Sequence, residues 1–501
     1  MIGKITTRKK LYEENKKYWE SENYDKRDGY ICIGHAIPYH LTHSMALDLT
    51  AKGIQQREHL PVMGFSVGLI SDSFQEGDES FGYIGRNYDI ENDYIRRFDK
   101  EETLQTIVDK CYGKKEEIIN LKYRGINCGD SLWETLVVNS DQFDCSRVDK
   151  NIFIHIVKKV LVTVDLAYEI FEQYPPKYFL LEEGVRLLGL YAAVAAKLGA
   201  KIIIPRIDAA NYPIIFKSDS FKLEGIVAKE YNLRMKYVKN KNIDMVPSKY
   251  VFELDGERSI PLNLEKNKKL NAFIMVHQFK DATRAACEHS IYRDYLEWFL
   301  DTMEIIKDIP NVNWIIRDHP MGEESNQRKI VRDTFLKYKC DHIQWCEPSV
   351  ARECITKEAD VIITYCGDVG LEYWAKGKPT IVLGNAYYAD QGISYQMKSR
   401  EEYIETLGNL DKLETPKDES IRNAKNIIER SPNVISQSDE LATLLNKIRK
   451  KELAGTVYGN RYVIQNYDLY EYEFIKGYLD LLKKDKVRTS ECILLNNLIE
   501  E

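Results

Sequence analysis

Val361-Ile-Ile-Thr-Tyr-Cys-Gly-Asp-Val-Gly-Leu-Glu-Tyr-Trp-Ala-Lys-Gly-Lys-Pro-Thr-Ile-Val-Leu-Gly384 is the stretch that decides the fold. It opens on a short apolar run without polar alternation, the pattern of a strand buried on both faces. A glycine-bearing turn leads into a helix over Val369 to Ala375, and Thr380 to Leu383 reads as a second buried strand. Strand, helix and strand at this spacing need a crossover, so the sheet is parallel.

The alternation extends outward in both directions. Ala272 to Val276, Val312 to Ile316 and Ile343 to Trp345 read as strands, with helices over Tyr292 to Ile306 and Lys329 to Tyr338 between them. Tyr178 to Leu181 and Lys201 to Pro205 flank an alanine-rich helix, Val185 to Leu198, that stops at Gly199. Tyr30 to Ile33 is the first strand, followed by a turn at Gly34-His-Ala36 and a helical run through Leu49. Pro61 to Ile70 is β-rich, Ser71 to Asn92 reads as a long loop, and Asp149 to Tyr174 reads as a helix ending at Pro175-Pro176. The polar stretch Lys239 to Lys269 marks a junction between two α/β halves. The expected organisation is therefore α/β: residues 1–260, opening with a charged helical arm; residues 261–450; and a helical tail over 451–501 with a long helix from Tyr462 to Lys484.

Composition agrees with a two-domain chain of 501 residues. At 44% hydrophobic and 30% charged residues it is neither disordered nor collagen-like. Its 71 basic and 78 acidic residues leave a net charge of −7, against a broad, sequence-independent nucleic-acid surface. Ten cysteines without a CxxC pair fit reduced thiols, and the set Cys340, Cys346, Cys354 and Cys366 has no common zinc spacing. No signal-peptide core precedes Tyr18 and no apolar run approaches the roughly 20 residues of a membrane span, so a cytoplasmic chain is expected.

Ligands of open α/β sheets bind beyond the carboxyl ends of the strands, so strand exits carry the candidate site. Ile316-Arg317-Asp318-His319-Pro320 delivers a guanidinium and an imidazole suited to phosphate oxygens, with Pro320 fixing the turn. In Thr364-Tyr-Cys-Gly367-Asp368-Val-Gly370-Leu-Glu372, the glycines open the backbone to a ligand and the helix start offers free N–H groups. Glu372 could accept from a sugar hydroxyl. The exit at Gly384 leads to Asn385, Tyr388 and Gln391, side chains that hydrogen-bond hydroxylated ligands. Each exit has a plainer reading as a structural turn; together they favour a nucleotide-linked ligand.

These residues resemble the C-terminal domain of GT-B glycosyltransferases, in the bacterial capsule and surface-polysaccharide group that includes the Kdo transferases. The resemblance lies in His277 and Asp281 of Val276-His-Gln-Phe-Lys-Asp281, Asp294-Tyr-Leu-Glu-Trp298 with Glu304, and Asn313-Trp-Ile-Ile-Arg-Asp-His-Pro320. It continues through Tyr365-Cys-Gly-Asp-Val-Gly-Leu-Glu372 and Gly377-Lys-Pro379, and more loosely through Tyr123-Arg-Gly-Ile-Asn-Cys-Gly-Asp130 and Tyr178-Phe-Leu-Leu-Glu-Glu-Gly184. It implies two Rossmann-like domains facing a cleft, with His319 on the donor phosphate and Glu372 on the nucleotide. Many relatives carry Lys where Arg317 stands.

The resemblance implies a transferase that takes sugar from a CMP- or UDP-linked donor to a glycan or glycolipid acceptor. The implied reaction uses no cofactor and, lacking a DxD motif, no metal; peripheral association with the inner membrane face is a further expectation. The base or nucleophile would come from the first half: Asp130 first, then His35, Asp72 or Glu183. Each admits a plainer role, His35 as a helix cap, Asp72 and Asp130 in Asx turns, Glu183 at a helix start. The rival activities are a nucleotide-sugar 2-epimerase, a CDP-alcohol phosphotransferase of the teichoic acid type, and a polysaccharide-binding partner without catalysis.

Overall fold

The computed structural model describes residues 24, 26–35, 41–67, 85–88, 90–181, 184–204, 214–219, 221–241, 262, 264, 269–289, 291–429 and 499–500. Two sheets organise the chain. The first runs in space Gly85–Tyr88, Val62–Val67, Tyr30–His35, Pro176–Leu181, Lys201–Ile204, Ile214–Phe216 and Ile499–Glu500. The second runs Ile343–Cys346, Val312–Arg317, Leu270–Met275, Val361–Thr364, Thr380–Val382 and Tyr395–Gln396. Numbered along the chain within each sheet, both follow the doubly wound order 3-2-1-4-5-6, the first adding one edge strand. The paired strands are parallel except Lys201–Ile204 with Ile214–Phe216. These are the two Rossmann-like α/β halves expected of a GT-B fold.

The apolar runs become central strands because both of their faces are covered. Ile274 pairs with Ile316 on one side and Ile363 on the other, and all three are fully buried. The winding reverses between Tyr30–His35 and Pro176–Leu181 in the first sheet, and between Leu270–Met275 and Val361–Thr364 in the second. Those two reversals place the strand exits that matter: His35 ends one strand, and His277 and Cys366 follow two others.

The helix Lys150–Gln173 starts where Asp149 caps it, accepting from the N–H groups of Asn151 and Ile152. It packs against the helices Glu101–Cys111, Gly129–Val138 and Leu188–Lys197. Gly129 is required by close approach: a Cβ there would lie 1.8 Å from the Ile119 carbonyl oxygen.

Two expectations change. Within Ser71 to Asn92, Gly85–Tyr88 is a strand beside Val62–Val67, because its backbone completes the exposed edge of the sheet. At the far end, Ile499–Glu500 is a strand paired with Ile214–Phe216, where a helical tail was expected; the helix read over Tyr462 to Lys484 lies outside the described residues. The boundary at 260/261 also lies outside them, as do residues 1–23 of the charged arm read over the first 28; its end, Lys26–Asp28, is a single short helical turn. The helix Ile226–Lys241, before that boundary, already leans on the second half. Gly225 and Val227 donate to the carbonyls of Arg284 and Ala285, and Tyr231 packs on Tyr387 at 4.8 Å.

One apolar core runs through both halves, with Phe143 on Phe279 and Phe279 on Phe299 at the join. Glu134 fastens the join. Fully buried, it accepts from the backbone N–H groups of Arg284 and Ala285 with one oxygen, both at 2.8 Å, and from Arg186 with the other at 2.7 Å. Burial raises its pKa, against the pull of those three donors.

Candidate active site

The second sheet's reversal point is built from two exits side by side. His277 leaves one strand and stacks on Tyr295, ring centroids 4.0 Å apart. Its Nε2 faces the Cys366 sulfur at 3.8 Å, while its buried Nδ1 has no partner. Cys366, on the adjacent exit, also meets the Tyr295 hydroxyl at 3.6 Å. Cys287 hydrogen-bonds to Cys366 and, with His277, draws its thiol well below the usual range. Burial opposes a charge on His277, but the Cys366 sulfur, Asp281 and the Gln278 backbone together raise the imidazole's pKa.

Tyr295 is set by the helix Tyr295–Ile306, whose cap is Asp294. One oxygen of this buried carboxyl accepts from the Glu297 N–H at 2.7 Å; the other has no hydrogen-bond partner. Burial pushes Asp294 up to about 6. A carboxyl raised on folding contributes stability that is complete below its unfolded pKa and is lost as pH rises through the folded one. Asp294→Asn keeps the cap without the charge. It is expected to melt higher than wild type at pH 8, with the advantage vanishing towards pH 4; an equal shift at both pH values would remove the charge argument.

His319 stands at the end of Val312–Arg317, held from beneath by Asp318. That buried carboxylate accepts from the His319 N–H at 2.8 Å, Gln327 Nε2 at 2.9 Å and Arg328 Nε at 2.6 Å. His319 caps the short helix Pro320–Glu324, its Nδ1 accepting from the Met321 N–H at 3.2 Å. The ring proton therefore sits on Nε2. Burial, then His277, Arg317, Arg352 and Arg328, drive His319 down to about 4. It is a neutral donor in a cationic corner, a suitable partner for an anionic oxygen.

Arg317 does something other than expected. It is buried, and its Nη2 donates to the carbonyls of Pro348 and Val350 at 3.0 and 3.1 Å. Those bonds hold the next strand's exit loop through Nη2, while the buried Nε has no hydrogen-bond partner.

The glycine-bearing turn also departs from expectation. A Cβ on Gly370 would lie 2.3 Å from the Tyr388 hydroxyl, so the glycine makes room for that ring rather than for a ligand. Tyr388, fully buried, donates to the Gly367 carbonyl at 2.6 Å and props the turn. Gly370→Ala should therefore destabilise by about 2–3 kcal/mol through overpacking, and Tyr388→Phe by about 1 kcal/mol through the lost hydrogen bond. Chemical denaturation checks both; an undisturbed Gly370→Ala would show that the ring can move aside.

Gly367 caps the helix Asp368–Ala375, and Asp368 occupies its first turn. That carboxylate already complements the helix dipole, so an added phosphate would meet a like charge there. Glu372 is buried and takes a 2.6 Å bond from Arg352 Nη1. Asn385 pairs with Glu288 through its backbone and side chain, at 3.1 and 3.3 Å. Gln391 ends the short helix Ala389–Gln391 and stays partly exposed, while Pro320 at the start of its own turn is exposed.

In the first half, Asp130 accepts from Arg284 Nε at 2.8 Å, and the same guanidinium donates to Glu224 at 2.6 Å. Asp130 thus anchors an arginine of the second half instead of standing free for an acceptor. His35 ends its strand at the first reversal point, as expected, but its side chain lies outside the described residues, as do Asp72 and Glu183. Among the described residues, no group of three or more His, Cys, Asp and Glu side chains is placed to hold a metal ion. No described helix is long and apolar enough to cross a membrane. Sequence reasoning missed Glu134, Arg284 and Arg352; the last sits at a strand exit and had a positional signal.

Residues 233–412 match the family model of capsule polysaccharide biosynthesis proteins. The expected resemblance to the capsule-biosynthesis group is thereby met. No curated protein matches the chain. Among solved structures, the Thermosulfurimonas dismutans KpsC beta Kdo 2,7 transferase is 12% identical, with a TM-score of 0.30 over 57% of this chain and 89% of its own. The alpha,alpha-trehalose 6-phosphate synthase of Burkholderia multivorans is 12% identical, with a TM-score of 0.32 over 85% and 100%. The UDP-GlcNAc 2-epimerase of Neisseria meningitidis is 11% identical, with a TM-score of 0.25 over 84% and 100%. At these scores the likenesses carry no argument beyond the sheets already described.

Proposed function

We propose that this protein is a glycosyltransferase of capsule or surface-polysaccharide synthesis, taking sugar from a CMP- or UDP-linked donor to a glycan acceptor without a metal. The observation that carries the reading is His319: a neutral Nε2–H donor amid three arginines, at a carboxyl-end strand exit within the residues that match the capsule family. Charge develops on the leaving phosphate as the glycosidic bond breaks. A donor already in place, costing no reorganisation, stabilises that charge. The helix at Gly367 contributes less than expected because Asp368 shares its N-terminus. Glu372, facing the same exits, is the acceptor for ligand hydroxyls. The acceptor glycan meets the first half, where His35 stands at the reversal point.

The 2-epimerase alternative needs two free carboxylates beside the donor. Glu372 is bonded to Arg352, and Asp368 hydrogen-bonds to Tyr387, which supports transfer instead. The test incubates purified protein with a panel of CMP- and UDP-sugars, with and without capsular oligosaccharides. Acceptor-dependent release of CMP or UDP supports the proposal. A C2 epimer formed from donor alone, or no turnover of any donor, overturns it.

A further inference from the structure

We propose that Arg352 is the positioning residue that fixes Glu372 to accept hydrogen bonds from the hydroxyls of the bound donor. The inference rests on the donor-site reading above and adds a residue to it. Arg352 begins the helix Arg352–Glu358, the exit of Ile343–Cys346, while Glu372 lies on the helix that follows Val361–Thr364. A 2.6 Å charge-assisted bond joins these two exits across the sheet. The loop before Arg352 is itself fastened: Arg317 holds the carbonyls of Pro348 and Val350. Arg317, the 348–350 loop, Arg352 and Glu372 thus form one chain of contacts. Arg317 thereby fastens the loop that carries Arg352.

The bond engages Oε2 and leaves Glu372 Oε1 for a ligand. Its side chain is 9% exposed. Burial pushes Glu372 up to about 7, Asp368 adds to the rise, and Arg352 and Lys376 oppose it. Tyr388 faces it from the loop after Thr380–Val382. Arg352 is the one cation reaching it from another element among these groups. Without Arg352 the carboxyl protonates at higher pH, and a protonated oxygen is a poorer acceptor for a hydroxyl.

Calorimetric titration of CMP and UDP from pH 5.5 to 9 tests this on wild type, Arg352→Gln, Arg352→Lys and Glu372→Gln, with circular dichroism to confirm folding. Wild-type affinity should rise through about pH 7. Arg352→Gln should move that rise at least one pH unit upward and weaken binding about tenfold at pH 7. Arg352→Lys should recover part of the shift, and Glu372→Gln should abolish the pH dependence. A folded Arg352→Gln protein with the wild-type profile overturns the inference while leaving the donor site standing. Wild type that binds neither nucleotide at any pH overturns the donor reading, and this inference with it.

Discussion

Glu134→Ala is expected to lose about 3–6 kcal/mol of stability, because it orphans three backbone donors at once, two of them buried and one partly buried. The N–H groups of Arg284 and Ala285 are buried and that of Arg186 partly so, and each unpaired buried donor costs about 1–3 kcal/mol. In melting experiments the drop should be about 10 °C. Glu134→Gln keeps one carbonyl oxygen for the Arg284 and Ala285 pair but turns an NH2 towards Arg186, so it should lose about a third as much. The effect reaches beyond stability. Glu134 ties the turn after Pro176–Leu181 in one half to the loop after Leu270–Met275 in the other, so its loss loosens both reversal points together. A drop below about 2 °C for Glu134→Ala would show that the knot is not structural.

His319→Ala is expected to lower kcat/KM for the donor about 100-fold, the effect of removing one pre-organised donor from a developing oxyanion, or about 2.7 kcal/mol of barrier. The loss should fall mainly in kcat, since the bond strengthens as charge develops. Alanine also removes the cap on Pro320–Glu324, so His319→Asn is the sharper variant: its side-chain oxygen can still accept from the Met321 N–H, but nothing replaces Nε2–H. With His319 held down to about 4, its contribution should be flat from pH 5 upward. Its folded pKa lies below the ordinary value, so protonation weakens the fold as pH falls from 6.5 towards 4. Turnover within about threefold of wild type in either variant would remove the phosphate role.

Most of the second sheet was legible because its signals are local. Val361–Thr364 has no polar alternation, and only a strand covered on both faces tolerates that. The first half was harder to read where pairing supplies the order: Gly85–Tyr88 has no apolar period, and Ile499–Glu500 is two residues long. Gly370 shows the same limit at the site. Its sequence neighbourhood suits a ligand turn, yet Tyr388, eighteen positions on, is what fills the space.

By itself the sequence determined the strand and helix alternation, the doubly wound class that follows from it, and the exits where a ligand must meet the chain. These follow from side-chain periodicity and crossover geometry, which are properties of short segments. Only the tertiary structure decided which polar groups at those exits remain for a ligand. Arg317 Nη2 is spent on carbonyls 31 and 33 residues away and Asp130 on an arginine 154 residues away, while Glu372 gives one oxygen to Arg352 and keeps the other. His319 keeps a directed donor, because its other nitrogen caps its own helix. A charged side chain reads the same in sequence whether it faces a ligand or a buried carbonyl. The difference lies in desolvation and partner geometry, and both are set by residues far along the chain.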